Sequence, residues 1–244
     1  MASGMRRDAI PAEARVGAPH FGGRAPRAVL LDALGTLVEL ERPWPHLVGE
    51  LGARGAVVGE EDARRAMLAE MAYYRAHHDE AGDRAGLADL RGRCAAIVRG
   101  ELGLALPVAD VEEALLAALR FRPYPEVPGV LGALRAAGAA LVVVSNWDVS
   151  LHDVLVRTGL SRLVDATVTS AELGAGKPDP AIFAHALALA GAAPGEALHA
   201  GDSLEADVAG ARAAGIEAVL VARDGAPAPA GVRTIATLEG LLAG

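Results

Sequence analysis

Acidic side chains at the ends of apolar runs are the first candidates for chemistry in this sequence. Asp32 closes the short run Ala-Val-Leu-Leu and is followed by Gly35. A run of this kind fits a central parallel strand buried on both faces. Ligands of open α/β sheets bind at the carboxyl edge, where Asp32 would stand, so its carboxylate is placed to act on a ligand. The structural alternative is that Asp32 only caps the following turn.

Three later segments add polar side chains to the same pattern. They are Leu-Val-Val-Val-Ser145-Asn146, Gly-Ala-Gly-Lys177-Pro-Asp-Pro and Gly-Asp202-Ser-Leu-Glu-Ala-Asp207. Of the 23 basic residues in the chain only one is lysine, Lys177, and Asn146 is the only asparagine. Ser145 and Asn146 offer donors that could hold a phosphoryl or carboxylate oxygen. The compact ammonium of Lys177 is suited to neutralising crowded oxyanions.

These segments, taken with Asp32-Ala-Leu-Gly-Thr36, resemble in order the four motifs of the haloacid dehalogenase superfamily. The resemblance runs from Ala28 to about Val221, apart from the stretch between the first two motifs. It implies that Asp32 is a nucleophile that forms a covalent intermediate. Lys177 resembles the lysine that pairs with this nucleophile and with the transferring group. Further catalytic roles fall to Ser145, to Asn146 and to Thr36, which would tie down the loop after Asp32.

The resemblance also implies Mg²⁺ as a cofactor. A divalent cation cancels the repulsion between the Asp32 anion and an anionic phosphate. Asp202 and Asp207 would supply the acidic pair that holds the ion, and Leu34 would lend its main-chain carbonyl beside Asp32. Oxygen ligands of this type are those that Mg²⁺ prefers. The alternative for Asp202 and Asp207 is capping of a helix predicted from Ser203 to Ala214.

Leu34 departs from the family pattern. The phosphatases of the superfamily usually carry Asp at this position as general acid and base, and loss of such a group costs about 10²–10⁴ in rate. The favoured interpretation is a phosphatase of small phosphorylated metabolites with weakened or altered activity. The alternative is a catalytically impaired binding or regulatory protein. A 2-haloacid dehalogenase is less favoured, because the fourth motif of those enzymes is not of this acidic type.

The elements that must position these residues indicate an α/β fold. We predict a doubly wound, Rossmann-like parallel sheet in residues 27–43 and 122–244, with strands at 140–145, 198–201, 216–221 and 233–235. Residues 44–121 show helical spacing and resemble an inserted all-helical cap. Met67, Met71, Tyr74 and His78, for example, mark one face of a helix over 61–78. Residues 1–26 are predicted to be a mobile tail.

Several side chains outside the motifs have candidate roles. Tyr74, Arg75 and His78 are candidate substrate-binding residues of the cap, although Tyr74 and His78 lie on the apolar stripe and could simply pack. Trp147 is expected to line the entrance to the site. His199 and Cys94 are interpreted as core residues, the histidine beside Asp202.

The composition limits the partners. The net charge of -8, the pI near 5.4 and the lack of a basic block argue against nucleic acid or an anionic membrane. A single cysteine excludes an internal disulfide. No stretch is long enough to span a bilayer, so a cytoplasmic protein with a small-molecule substrate is expected. The sequence predicts no particular oligomeric state.

Overall fold

The fold is built on a six-stranded parallel sheet, seen in a computed structural model that describes residues 26–225 and 227–243. In sheet order the strands are β5 (Ala166–Thr169), β4 (Ala140–Ser145), β1 (Ala28–Leu31), β6 (Ala197–Gly201), β7 (Glu217–Val221) and β8 (Arg233–Ile235). Leu31 of β1 lies opposite Val143 on one side and Ala200 on the other. Because every pairing is parallel, the carboxyl ends of β1, β4 and β6 meet at one edge.

Apolar side chains cover both faces of the sheet, as alternation along a strand requires. Val29 and Leu31 point into one core cluster, whereas Leu30 points into the cluster that contains Phe183. The core helices are α5 (Val127–Ala136), α6 (Leu151–Arg157), α7 (Ser170–Leu173), α8 (Pro180–Ala190) and α9 (Gly210–Ala213). Leu131 of α5 packs on the first face and Phe183 of α8 on the second. The predicted doubly wound α/β fold is therefore confirmed.

A helical region is inserted between β1 and β4. It consists of α1 (Pro43–Ala53), α2 (Glu60–His77), α3 (Arg84–Glu101) and α4 (Val108–Ala118). Its helices enclose a separate apolar cluster that includes Met67, Leu90, Cys94 and Leu115, so Cys94 is a core residue as predicted. The antiparallel pair β2 (Val38–Leu40) and β3 (Phe121–Pro123) flanks the insertion. The division into domains at residues 43 and 122 stays a prediction.

Several local details differ from the sequence prediction, and three of them lie in the core. Strand β5 was not predicted, because it is a short edge strand in which Ala166 and Thr167 are only partly buried. Helix α6 begins at Leu151 rather than near 149, since the Asp148 carboxylate accepts a hydrogen bond from Ser150 N at 2.6 Å. Residues Leu204–Ala209 form a π-helix where an α-helix was expected.

Residues 1–25, the bulk of the predicted tail, lie outside the described part of the chain. None of the helices in residues 26–225 and 227–243 combines the length and apolar character that a membrane crossing requires.

Candidate active site

The candidate site lies at the carboxyl edge of the sheet. Asp32 directly follows β1, Ser145 ends β4 and Asp202 directly follows β6. The backbone N–H of Asp32 still donates to Ala200 O at 3.0 Å, so the residue continues the pairing of β1 with β6. Because β1 lies between β4 and β6, three residues that are distant in sequence are brought to one point.

The Asp32 carboxylate is buried and held by two donors. Its Oδ1 accepts hydrogen bonds from Lys177 Nζ at 2.6 Å and from Ser145 Oγ at 3.1 Å. Burial raises the pKa of Asp32 from 3.8 to about 6, although the nearby Lys177 charge opposes this shift. Asp32, Ser145 and Lys177 are thus brought together, and their catalytic roles stay predictions.

Lys177 bridges two carboxylates. Its Nζ lies 2.6 Å from Asp32 Oδ1 and 2.5 Å from Asp207 Oδ1, and only 2% of its side chain is exposed. Burial alone would lower the pKa of Lys177, but Asp32 and Asp207 outweigh it, so the pKa lies above 10.5 and the ammonium stays charged. The lysine therefore supplies one fixed positive charge to the site.

The side chain of Asn146 positions Lys177 rather than facing the site with free donors. Its Oδ1 accepts from Lys177 N at 2.7 Å, and its Nδ2 donates to Lys177 O at 2.8 Å. Both ends of the amide are thus used to hold the backbone that carries the ammonium group. The predicted contact between Asn146 and a substrate oxygen stays a prediction.

Asp207 is held from three sides. It accepts from Lys177, from His199 Nε2 at 2.9 Å and from Ser203 N at 2.9 Å. Burial would raise the pKa of Asp207, but Lys177 and His199 outweigh it and keep the pKa below 3.8. His199 is fully buried, as predicted for a core residue, and its contact is with Asp207 rather than with Asp202.

Asp32, Asp202 and Asp207 form a group of possible metal ligands. One oxygen from each lies within 4.8 Å of the others. Asp202 is open to solvent on one side, and its partial burial and the Asp207 anion raise its pKa from 3.8. Three carboxylates against one lysine leave negative charge that a divalent cation would neutralise. Hard oxygen donors of this kind fit Mg²⁺, so the residues present agree with the predicted cofactor.

Two glycines leave room for this carboxylate group. A Cβ at Gly201 would overlap the Asp207 carboxylate, and a Cβ at Gly35 would overlap Asp202 Oδ2. Gly35 also has φ +79°, a conformation that side chains disfavour. Glycine at both positions therefore allows the backbone to lie against the acidic side chains.

Other predicted residues lie around this centre. Thr36 is fully buried, but its hydroxyl has no hydrogen-bond partner within the described residues, so its side chain does not hold the loop by a hydrogen bond. The carbonyl of Leu34 belongs to the loop that packs on Asp202, and its side chain is 43% exposed.

The prediction that Trp147 lines the entrance is wrong. Trp147 is only 7% exposed and packs against Phe121 in the core, with ring centroids 5.2 Å apart.

The cap candidates lie at the end of α2. Tyr74 donates its hydroxyl to Asp148 Oδ2 at 2.9 Å, and burial together with Asp148 raises the tyrosine pKa. His78 Nδ1 lies 3.1 Å from Arg75 O, and Arg75 is exposed. Within the described residues, none of the three forms a hydrogen bond with Asp32. The structure therefore brings Tyr74 against the core beside the site and leaves the roles of Arg75 and His78 as predictions.

Two residues near the site were missed by the sequence analysis. Asp148 is buried and joins the core to α2, and its position directly after Ser145-Asn146-Trp147 was the available signal. Arg223 bonds to the loop that follows Asp32. Its place just beyond the carboxyl end of β7 was the only clue, because the chain contains many arginines.

A parallel, Rossmann-like core with an inserted helical cap and an aspartate group at its carboxyl edge defines a Rossmann-like hydrolase with a helical cap. Residues 26–215 match the family described as haloacid dehalogenase-like hydrolases, and the chain belongs to this family. The resemblance drawn from the four motifs is therefore confirmed, as is the inserted helical cap.

Comparison with individual proteins shows partial similarity to a phosphatase of this family. It is 42% identical over 105 residues to the phosphoserine phosphatase of Thermus thermophilus, which covers 43% of this chain and 42% of that protein. The chain thus spans less than half the length of this relative.

Solved structures show the same fold. The HAD phosphatase from Thermococcus onnurineus has a TM-score of 0.60 and 27% identity, and the match covers 88% of this chain and 95% of that one. The L-2-haloacid dehalogenase from Xanthobacter autotrophicus has a TM-score of 0.66 at 21% identity, covering 89% and 97%. Because phosphatase and dehalogenase share the fold, the fold alone does not separate the two activities.

Proposed function

We propose that this protein is a Mg²⁺-dependent phosphohydrolase that acts on a small phosphorylated metabolite through an aspartyl-phosphate on Asp32. The observation that carries the proposal is the environment of the Asp32 carboxylate. Lys177 and Ser145 hold one of its oxygens, while Asp202 and Asp207 place two more carboxylates within 4.8 Å. A nucleophile, a fixed cation and a set of metal ligands therefore share one small space.

The first step makes one bond and breaks another. An oxygen of Asp32 attacks phosphorus, and the bond between phosphorus and the leaving oxygen breaks with its electron pair on that oxygen. Oδ1 is the atom that Lys177 and Ser145 hold, whereas Oδ2 accepts no hydrogen bond from the described residues. Water then attacks phosphorus, the bond to Asp32 breaks with its electron pair on the carboxylate, and phosphate leaves as H₂PO₄⁻, which carries both protons of the water.

The charge balance of the site supports this chemistry. The Lys177 ammonium and the Ser145 hydroxyl lie where they can stabilise the oxygens of a transferring phosphoryl group. Asp32, Asp202 and Asp207, with the Leu34 carbonyl, would hold Mg²⁺. Bound Mg²⁺ would screen the carboxylates from the anionic substrate. His199 and Asn146 keep Asp207 and Lys177 in place.

Leu34 sets the preferred leaving group. An alkoxide leaving group needs a proton, and the side chain at the usual acid position carries none. We therefore infer that the enzyme favours phosphates whose leaving oxygen departs as a stable anion, as in acyl or aryl phosphates. The phosphoserine phosphatase relative supports a phosphorylated small molecule as the broader substrate class.

The cap supplies substrate recognition in this proposal. The end of α2 contacts the core through Tyr74 and Asp148, directly beside the Ser145-Asn146 segment. We assign Tyr74, Arg75 and His78 to this recognition face. The exposed Arg75 guanidinium would favour an anionic group on the substrate.

The test is a rate series from aryl to alkyl phosphates for the parent and for Leu34→Asp. The parent rate should fall steeply as the leaving group becomes more basic. Leu34→Asp should raise alkyl phosphate turnover by at most about 10²–10⁴, the usual worth of general acid and base catalysis. Leu189→Asp is the control. Leu189 is about as exposed as Leu34 and lies at the C-terminal end of α8, whereas Lys177 of the site precedes the N-terminal end of this helix. This substitution should leave the rates unchanged.

Two outcomes would contradict the proposal. A flat dependence in the parent, with no gain in a folded and Mg²⁺-binding Leu34→Asp protein, would favour the binding or regulatory alternative. Turnover of a 2-haloacid without Mg²⁺ would favour the dehalogenase alternative.

A further inference from the structure

Arg223 reaches from the end of β7 to the loop that follows Asp32. Its Nε donates to Gly35 O at 3.0 Å, and its Nη2 donates to Thr36 O at 2.6 Å. Two successive carbonyls of this loop are therefore fixed by one planar guanidinium. Arginine suits this task because its donors have a rigid fork geometry.

The guanidinium is itself held in place by residues around it. Nη1 pairs with Glu126 Oε1 at 2.8 Å, and the two side chains are only 15% and 11% exposed. The Tyr124 ring lies beneath the guanidinium, with Cζ 3.4 Å from the ring centroid. Although burial favours the neutral acid, the backbone and Arg223 outweigh it and keep the pKa of Glu126 below 4.5. These contacts fix the Arg223 side chain, which connects the end of β7 to the loop after Asp32.

The loop that Arg223 holds carries part of the candidate metal site. Gly35 packs against the Asp202 carboxylate so closely that a Cβ would overlap Asp202 Oδ2. The Leu34 carbonyl lies directly before Gly35. The Thr36 hydroxyl, by contrast, bonds to none of the described residues, so it does not anchor the loop. Besides the turn's own backbone bonds, the two donors of Arg223 fix the carbonyls of this segment.

We propose that Arg223 is a positioning residue for the metal site. By holding the Gly35 and Thr36 carbonyls, it fixes the Leu34 carbonyl and the contact with Asp202 relative to Asp32. Its hydrogen bonds and its ion pair are made to Gly35, Thr36 and Glu126 rather than to the three carboxylates, although its charge opposes the rise in the pKa of Asp202. This inference rests on the Mg²⁺ site of the proposed function.

The test compares the parent with Arg223→Met and Arg223→Lys, using Mg²⁺ titration by calorimetry and hydrogen exchange of the metal-free proteins. Arg223→Met removes both donors and should weaken Mg²⁺ binding about 10–100-fold, the usual effect of losing an outer-shell partner of a metal site. Amides of residues 34–38 should exchange faster even without metal. Arg223→Lys keeps the charge and should fall between the parent and Arg223→Met. Saturating Mg²⁺ should restore most of kcat.

Arg135→Met is the matched control. Arg135 pairs with Asp165 on the surface at 2.6 Å, so its loss removes an ion pair without touching the loop. Mg²⁺ affinity and exchange of residues 34–38 should stay as in the parent.

A rescue experiment separates positioning from general destabilisation. Arg223 and Asp202 both line an open cavity of about 440 Å³, which gives a small cation access to the vacated place. In Arg223→Ala, ethylguanidinium at millimolar concentration should restore part of the Mg²⁺ affinity, whereas ethylammonium should restore less.

The possible results distinguish failure of the Arg223 inference from failure of the proposed function. Unchanged Mg²⁺ affinity in both Arg223→Met and Arg223→Lys would overturn the inference and leave the proposed function standing. A parent that binds no Mg²⁺ would overturn the proposed function and the inference together. Weakened binding without faster exchange of residues 34–38 would also overturn it, because the effect would not pass through the loop.

Discussion

Removal of the Asp32 charge is expected to stabilise the Mg²⁺-free protein while it abolishes turnover. Asp32→Asn is nearly isosteric, and its amide oxygen can still accept from Lys177 and Ser145. Burial raises the pKa of Asp32 from 3.8 to about 6 in the folded protein. Each pH unit of pKa change is worth about 1.4 kcal/mol, so the ionised carboxylate costs about 3 kcal/mol of folding free energy.

The sign of the pH dependence follows from proton binding. Below the unfolded pKa of 3.8 the carboxyl is protonated in both states and costs nothing. Between 3.8 and about 6 the folded protein binds more protons than the unfolded chain, so parent stability falls as pH rises. The advantage of Asp32→Asn should therefore be near zero at the acid end of this window. It should reach its full value of about 3 kcal/mol above the folded pKa.

The assay is urea unfolding of the parent and Asp32→Asn across this pH range in the presence of a chelator. Asp153→Asn is the matched control for the chemical change, because Asp153 is exposed on α6, outside the carboxylate group of the site. Mg²⁺ at 1,000 times its Kd should reverse the order, since ligand at that concentration stabilises the parent by about 4.1 kcal/mol. An Asp32→Asn advantage that is constant or shrinks as pH rises would refute the reasoning about burial.

Two further predictions concern the carboxylate group. Mg²⁺ should raise the Tm of the parent, and Asp202→Ala should remove most of this gain in a thermal-shift titration; equal gains in both proteins would exclude Asp202 as a ligand. Gly201→Ala places a Cβ against the Asp207 carboxylate, and overpacking of this kind costs about 1–3 kcal/mol. Its Mg²⁺ affinity should fall as well, whereas Gly132→Ala, whose Cβ would meet nothing within 4 Å on α5, should be neutral or stabilising in urea unfolding.

The sequence predicted the centre of the site because strand ends carry a strong local signal. Asp32, Ser145 and Asp202 each follow an apolar run, and parallel strands must bring such residues to one edge. Lys177 and Asp207 were assigned to the site by the resemblance to the family motifs, because neither residue directly follows a strand. The fold itself followed from the alternation of buried runs and helical spacing.

Hydrogen bonds between side chains and the backbone could not be predicted from the sequence. The use of Asn146 to hold the Lys177 backbone depends on how two loops approach each other, which no spacing encodes. The role of Arg223 could not be predicted for the same reason. Its guanidinium bonds to backbone carbonyls, which every residue type has, so the side chains of its partners give no signal. Trp147 was placed wrongly because an aromatic residue beside a motif fits an entrance and a core equally well.

The geometry of the site also explains the single lysine of an otherwise all-arginine chain. One nitrogen atom lies 2.6 Å from Asp32 Oδ1 and 2.5 Å from Asp207 Oδ1, with almost no exposed surface. A guanidinium spreads its charge over a planar fork and needs a flat, wider space to meet two acids. The chain uses arginine at its other basic positions, but the narrow space between these two carboxylates favours lysine here. Replacing Lys177 would leave two buried carboxylates without their cation, and an uncompensated buried charge of this kind costs roughly 3–5 kcal/mol in comparable cases. Lysine at position 177 therefore fits the narrow space between Asp32, which follows β1, and Asp207, which lies in the helical segment Leu204–Ala209 after β6.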